Sequence, residues 1–540
     1  MAVAVCGMMA VGCNDLDMEP QGSVITSDQK AEVLAGNPEM AQAAVNALHQ
    51  GTHLINVTGE IYGKSLHNDF GYASIAIGLD CRGIDSYGPN DGYNWYASQS
   101  DLKDWAPTYF VNLEYWNTNY GVIKSSNTLI AGVDEGALGD DINSYQLRYF
   151  LGQGYAYRAF AYYYLVNMYQ QTYAMNPDAP CVPILTDQNM DDAAANGNPR
   201  ATVRQVWDLV KADVTKAINY LTAAEKNGNY RPDKRYFDTA AAYGLRARAN
   251  LFTQNWAQAV SDADSAIMLA SAHGITPYSQ AEAAIPNFYN LADHNVMLGV
   301  QNLASDSYTQ GVVNFASMMS GWMPNGYGSV GCVKRVSKKL YAAIPATDVR
   351  INWFIRPDGT APATLPAAYA AYVNANSDVF FPYANVKFGA ANNTPGEASG
   401  AVDFPLMRVE EMYLIKAEAQ GKQSPATGAA TLNAFVQTYR DPSFVCMTDA
   451  EGFQNSVWMQ RRIELWGEGF SYFDLMRLQK GIDRRGMGID PAWVYVLEPT
   501  NPVMRYQIVQ PEYEANSQIS EQDVLEGLNW IDPTPVADEN

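Results

Sequence analysis

A chain of 540 residues and 59.4 kDa exceeds the usual span of a single hydrophobic core, which leaves one large layered fold or two to three domains. Hydrophobic residues at 47% and charged residues at 17% are globular proportions and exclude a disordered or collagen-like chain. With 35 Lys+Arg against 57 Asp+Glu the formal net charge is −22, which repels phosphate backbones and argues against nucleic acid as a partner.

The chain opens on MAVAVCGMMAVGC, an apolar run too short to span a bilayer. Ala10-Val11-Gly12 before Cys13 has the form of a lipoprotein cleavage site, so residues 1–12 are expected to be a signal and Cys13 the acylated first mature residue. A signal also needs a basic n-region, yet the first positive residue is Lys30, which points to a truncated start. Residues 13–37 begin with the acidic run Asn14 to Pro20 and read as a solvated tether. No later stretch is long and apolar enough for a membrane helix.

Residues 38–270 read as a helical scaffold, interrupted by a loop excursion at 78–100. Thr202 stands at an N-cap position, followed by Val203, Val206, Trp207, Val210, Val214, Ile218 and Leu221 at spacings of three and four, one buried helical face. Further on, the small residues Ala240, Gly244, Ala259, Ala263 and Ala266 flank Leu251, Phe252 and Trp256 around a turn at Asn255, the pattern of a tetratricopeptide helix pair. Degenerate relatives precede it in YQLRYFLGQGYAYRAFAYYYLVNMYQ and follow it in FPLMRVEEMYLIKAEAQ. Between 271 and 400 the texture changes to Gly, Pro, Asn, Ser and aromatics, a loop-rich variable region, and 401–540 reads as helical scaffold again. The predicted fold class is mostly α: a tetratricopeptide-like helical-repeat scaffold with a loop-rich portion, and long irregular loops in a compact protein are more often functional than accidental.

Signatures of catalysis and metal binding are missing from this reading. Cys81, Cys181, Cys332 and Cys446 are widely separated, which argues against zinc and for free buried thiols. Of the five histidines, His49 and His53 are four apart, but Gly51 between them weakens a helix and a solvated or capping role is expected. His67, His273 and His294 stand in no metal pattern, and neither metal nor cofactor is expected. Gly326 to Gly331 satisfies GxGxxG, yet no β-rich strand precedes it and it reads as a flexible loop. Asp80, Asp85 and Asp91, near aromatics, are the best carboxylates for a glycosidase pair, although solvation or ligand hydrogen bonding is the expected role. In QRRIELWGEGFSYFDLMRLQ, residues 460–479, the charges Arg461, Arg462, Glu464, Glu468, Asp474 and Arg477 interleave with core residues and are expected to pair with one another.

That segment resembles the carboxy-terminal signature of the RagB/SusD family of outer-membrane nutrient-binding lipoproteins, a run like ERRIEL-x-x-EG-x-R-x-FDL-x-R, departing notably at Gln460 and Ser471. Further matches follow the family's order: the lipobox with NDLDMEP, YRAFAYYYLVNMYQ with APCVPIL, TDVRINWF with Asp348 and Arg350, LMRVEEMYLIKAEA with Arg408, Glu411 and Glu418, and IVQPEYEAN at 508–516. The resemblance implies four tetratricopeptide-like helix pairs and a variable loop-rich portion. It implies no enzyme but a lipid-anchored, surface-exposed outer-membrane protein that captures oligosaccharides, or in some members peptides, and sits as a lid on a SusC-type TonB-dependent transporter.

The signature motifs belong to the scaffold and do not name a ligand. A sugar ring is held by aromatic stacking with polar groups at its edge, and two loops have that composition. The first offers Arg82, Tyr87, Asn90, Asp91, Tyr93, Asn94, Trp95 and Tyr96, and the second offers Trp322, Asn325 and Tyr327; Trp95 and Trp322 are the expected stacking platforms. The rival functions are an exported glycoside hydrolase using Asp80, Asp85 or Asp91, and a helical-repeat scaffold that binds only protein.

Overall fold

Apolar residues spaced three and four apart turn one stripe of each helix toward a neighbour, and the computed structural model, which describes residues 38–53, 57–285, 288, 290–525 and 532–539, follows that pattern. The main helices are α1 (Pro38–Gly51), α2 (Tyr72–Arg82), α3 (Phe110–Ala131), α4 (Ile142–Met168), α5 (Val203–Lys226), α6 (Thr239–Phe252), α7 (Trp256–Ala272), α8 (Val409–Gln423), α9 (Pro425–Tyr439), α10 (Ala450–Glu464) and α11 (Ser471–Arg477). The signal, the tether and Cys13 lie outside the described residues.

α5 shows how the sequence fixes an element. Thr202 caps it in a reciprocal box: its hydroxyl accepts from the Gln205 N–H at 3.2 Å and the Gln205 side chain accepts from the Thr202 N–H at 2.8 Å. All seven apolar positions of the predicted face, from Val203 to Leu221, are buried. α4 packs on this face, and a Cβ at Gly152 would stand 2.6 Å from Leu221 Cγ, so the close approach of the two helices requires glycine there.

Consecutive helices pack in series, α3 on α4, α4 on α5, α5 on α6, α6 on α7 and α8 on α9, while α7 skips the variable region to pack on α8. The result is the predicted mostly α, tetratricopeptide-like scaffold. Strands are short and antiparallel: β1 (Ser86–Tyr87) pairs with β5 (Arg335–Val336), β2 (Pro180–Pro183) with β3 (Arg200–Thr202), β4 (Val296–Val300) with β6 (Phe404–Arg408), and β7 (Ile482–Asp483) with β8 (Val496–Leu497).

Two expectations of extent are corrected. The excursion expected at 78–100 begins at Gly83, because α2 continues through Arg82 with every residue from Tyr72 to Arg82 buried. The carboxy-terminal part is helical through Arg477, and beyond it come short turns, β7, β8 and helices of six and five residues. The expected thiol state holds for the described cysteines, Cys81, Cys181, Cys332 and Cys446, which are free and buried.

A main core runs through the scaffold, and the variable region builds a satellite core from Trp322, Val333, Ile355, Leu365, Tyr369, Val373, Val379 and Phe380 with smaller residues. The two are joined by buried charge. Glu464, at the end of α10, receives Arg440 at 2.7 Å, Arg408 at 3.0 Å and Arg350 at 3.2 Å. Glu468 receives Lys387 at 2.6 Å and Arg408 at 2.7 Å, Glu410 receives Arg440 at 3.1 Å, and Asp348 receives Arg350 at 2.6 Å. The cations Arg350, Lys387, Arg408 and Arg440 thus face the anions Asp348, Glu410, Glu464 and Glu468 one for one, which is how charge is tolerated away from water. Ion pairing is the expected role of the 460–479 charges, but only Arg461 and Arg477 find a partner within the segment, Asp474; Glu464, Glu468 and Arg462 pair with charges brought in from elsewhere in the chain.

Candidate functional site

The two aromatic loops meet although more than 200 residues separate them in sequence. The β1–β5 ladder sets Ser86 opposite Val336 and Tyr87 opposite Arg335. Above it, Trp95 of the first loop and Tyr327 of the second stand edge to face with centroids 6.2 Å apart. His67, on the turn before α2, completes the cluster: its ring stacks on Trp95 at 4.7 Å and 18°, meets Tyr327 edge-on at 5.7 Å, and hydrogen-bonds the Tyr327 hydroxyl through Nδ1. Burial lowers the His67 pKa, which favours the neutral ring.

The loop under Trp95 is tied down from below. Lys334, 1% exposed, donates from Nζ to Asn94 Oδ1 at 3.2 Å and to the Cys332 carbonyl at 3.1 Å. Asn94 also donates to the Pro89 carbonyl at 2.7 Å and accepts from the Tyr96 N–H at 3.2 Å, which fixes the backbone on both sides of Trp95. Asp91 Oδ1 accepts from the N–H groups of Tyr93 and Asn94 at 2.8 and 3.1 Å and from Cys332 Sγ at 3.4 Å, tying one loop to the other. The second loop's glycines are there for packing: a Cβ at Gly328 would stand 1.9 Å from the Ser320 carbonyl oxygen. Asn90, Asp91 and Tyr93 on the first loop and Asn325 on the second are exposed, Tyr93 by 61%, and Trp95 and Tyr327 are half-buried.

Four of the candidate residues are corrected. Arg82 is fully buried; it pairs with Asp104, donates to the Val503 carbonyl and lies between the rings of Tyr472 and Tyr506. Tyr96 is fully buried with its hydroxyl 2.9 Å from Ser74 Oγ, and Tyr87 is 4% exposed beside Arg335. Trp322 is 1% exposed and anchors the satellite core, donating from Nε1 to the Phe388 carbonyl at 2.7 Å with Phe380 and Tyr369 4.5 and 4.7 Å away. A tryptophan whose one donor is satisfied inside and whose rings are surrounded has no face for a ligand.

Asp80 and Asp85 are structural too. Asp80, 2% exposed, accepts from the N–H groups of Gly469 and Ser471 at 3.1 and 3.2 Å, and burial raises its pKa to about 7 against those bonds. Asp85 takes both oxygens to Arg462, the closest contact 2.6 Å, and accepts from Ser471 Oγ at 2.9 Å, pinning the first loop to the carboxy-terminal signature. His49, expected in solvent or at a cap, is 4% exposed, because α1 packs against both α3 and α4, and burial lowers its pKa to about 3.

His67, Lys334 and Arg335 were missed by the sequence reading. The only signal available was composition near Trp95 and Tyr327, and it says nothing of a residue 260 positions from Tyr327. Two cavities lie elsewhere: one of about 500 Å³ lined by Trp116, Tyr120, Asn127, Pro183 and Glu512, and one of about 320 Å³ lined by Trp256, Lys422, Gln454, Arg477 and Lys480. The half-buried rings of Trp95 and Tyr327, with exposed Asn90, Asp91, Tyr93 and Asn325 around them, make the aromatic cluster a surface platform.

Comparison with known proteins accords with this architecture. Residues 81–251 match the model of a SusD-like family of proteins that are starch-binding and associate with the outer membrane, and residues 363–526 match the SusD family model. SusD-like protein P2 of Formosa agariphila is 24% identical over 512 residues, covering 89% of this chain and 91% of its own length. A SusD-like carbohydrate-binding protein from Bacteroides vulgatus superposes with a TM-score of 0.70 at 20% identity, covering 90% of this chain and 97% of its own. A laminarin-binding SusD-like protein does so at 0.59 and 18%, covering 89% and 98%. Among the described residues no helix is long and apolar enough to cross a membrane. With two SusD-type family models matched in order, on a scaffold of the same fold, the chain is a SusD-like protein.

Proposed function

We propose that this chain captures an oligosaccharide on the platform of Trp95, Tyr327 and His67, with Asn90, Asp91, Tyr93 and Asn325 at its edge. The observation that carries this reading is the meeting of two distant loops in one partly exposed aromatic cluster whose backbone is fixed by Lys334, Asn94 and Asp91. Rigid rings offer the apolar face of a sugar a surface that loses little entropy on binding, and exposed amide and carboxylate groups suit its hydroxyls. A laminarin-binding protein of the same fold supports glycan as the ligand class. The chain acts as a binder and not an enzyme: Asp80 and Asp85 are committed to backbone and arginine partners, and Asp91 to the N–H groups of its own loop. A glycan array on the soluble chain, followed by calorimetry, tests the reading. A hit that Trp95→Ala weakens and that the protein leaves uncut in a reducing-end assay is expected; no glycan bound, or shortened chains, refutes it.

In the cell the protein is held at the outer-membrane surface by lipid on Cys13 and passes its ligand to a SusC-type TonB-dependent barrel, the helical scaffold making most of that contact. Acylation at Cys13 would supply the several chains that stable anchoring needs. With a full signal supplied, Cys13→Ala is expected to release the protein or leave an uncleaved precursor, and gentle detergent extraction of the wild type to bring the barrel with it. Unchanged fractionation of the variant, or isolation as a lone monomer, counts against the respective step.

A further inference from the structure

His49, in the last turn of α1, and His53, just beyond it, bring their ring centres to 5.0 Å. Neither ring nitrogen of His49, nor Nδ1 of His53, makes a hydrogen bond of normal geometry, although the Arg235 backbone stands close enough to orient one His49 N–H and the His49 backbone one N–H of His53. Buried nitrogens left in this way need an explanation, and an ion is one of the few available. Two imidazoles bound to one metal at bonds of about 2.1 Å and a tetrahedral angle place their ring centres about 5 Å apart, the separation found here. The neutral imidazole of His49 is the form that ligates.

Charges of both signs surround the pair. Arg235 acts on both rings and is itself paired with Asp233, which takes its Nε and Nη2 at 2.9 and 2.7 Å and offsets part of its charge. Asp306 faces His53; among the described residues its Oδ2 accepts from the Leu303 N–H at 2.9 Å and the Tyr308 hydroxyl at 3.1 Å and pairs with no cation. The rings of Tyr236 and Tyr308 stand 6.0 Å from His49 and His53 respectively and wall the site. His53 is only half-buried, which leaves a path from solvent.

We propose that His49 and His53 form a two-nitrogen site for a divalent transition-metal ion of the zinc class, with Asp306 supplying the opposing charge. Among the described residues no group of three or more His, Cys, Asp or Glu is disposed to hold a metal, so water completes the coordination. Bound metal staples the end of α1 to the turn that follows it, and any ligand that binds only the folded state raises stability by an amount that grows with the logarithm of its concentration above Kd. The orientation of His49 by the Arg235 backbone is the outer-shell arrangement common to metal-bound histidines.

The test uses the untagged chain stripped with chelator. Titration with Zn2+ alone should show one equivalent bound and a raised melting temperature. Cu2+ should give an electron paramagnetic resonance spectrum with the splitting of two imidazole nitrogens. His49→Gln and His53→Gln should each weaken Zn2+ binding by more than about tenfold, the loss that follows even from removing an outer-shell partner. His53→Gln, at a half-buried position, guards against failure of the more buried variant to fold. No stoichiometric Zn2+ binding by the wild type, a copper spectrum without two imidazoles, or undiminished binding by the double variant overturns the proposal.

Discussion

Trp95 and Trp322 have the same chemistry and opposite positions. Trp322 is enclosed by Phe380, Tyr369 and Tyr372 with its N–H satisfied inside, so Trp322→Ala leaves a cavity and is expected to lower stability by about 3–5 kcal/mol while the folded fraction keeps its glycan affinity. Trp95 is covered on one face by His67 and half-exposed, so Trp95→Ala is expected to weaken glycan binding by about 1–3 kcal/mol, roughly tenfold or more, with a much smaller loss of stability. Thermal melts and calorimetry on both variants check the pair. A reversed pattern would move the ligand from the first loop to the second.

At the scale of the element, the loop that carries Trp95 owes its conformation to Lys334, a buried cation held by amide and carbonyl oxygens. Burial lowers its pKa, a sign that the charged form is poorly compensated. Lys334→Met removes that charge and also the hold on Asn94, so the expected outcome is weaker glycan binding at a melting temperature equal to or above that of the wild type. A lowered melting temperature with unchanged affinity would show that the lysine supports the core and not the loop. At α5, Thr202→Ala opens the capping box and is expected to cost about 0.5–2 kcal/mol in a denaturant titration, with glycan affinity unchanged.

Across the whole molecule, the buried ion pairs tie α8, α9 and α10 to the variable region. Glu464→Gln leaves Arg350, Arg408 and Arg440 short of a counter-charge and is expected to cost about 3–5 kcal/mol, read as a shift in the denaturation midpoint. A second buried cluster, Glu418 with Arg477 and Arg461, sets the acid limit. Burial alone would raise the pKa of Glu418, but Arg477, at 2.6 Å, and then Arg461 outweigh it and hold it down to about 2, against an ordinary 4.5. The folded state then binds fewer protons than the unfolded one between those values, so the stabilisation from Glu418 is full above about pH 4.5 and is lost as pH falls toward 2. Melting temperature is expected to fall through that window, and Glu418→Gln to give a lower but flatter profile; parallel profiles would refute this.

The sequence by itself determined the helices and their buried faces. Those are local properties: an N-cap at Thr202, apolar residues at the period of a helix, and small residues such as Gly244 and Ala263 where helices approach, all within one or two turns of one another. It also determined the partners of the 460–479 charges in kind, because charges interleaved with core residues must find opposite charge or remain in water. Which aromatic faces outward was decided by tertiary structure alone. Trp95, Tyr96 and Trp322 stand in the same Gly- and Asn-rich texture, and only long-range packing, with β1 on β5 and the satellite core closing over Trp322, buries two of them and leaves one half-exposed. The addition of His67 to Trp95 and Tyr327, and the burial of His49, have the same origin: contacts between segments far apart in sequence, set by the packing of whole elements and carrying no local pattern that a reading along the chain detects.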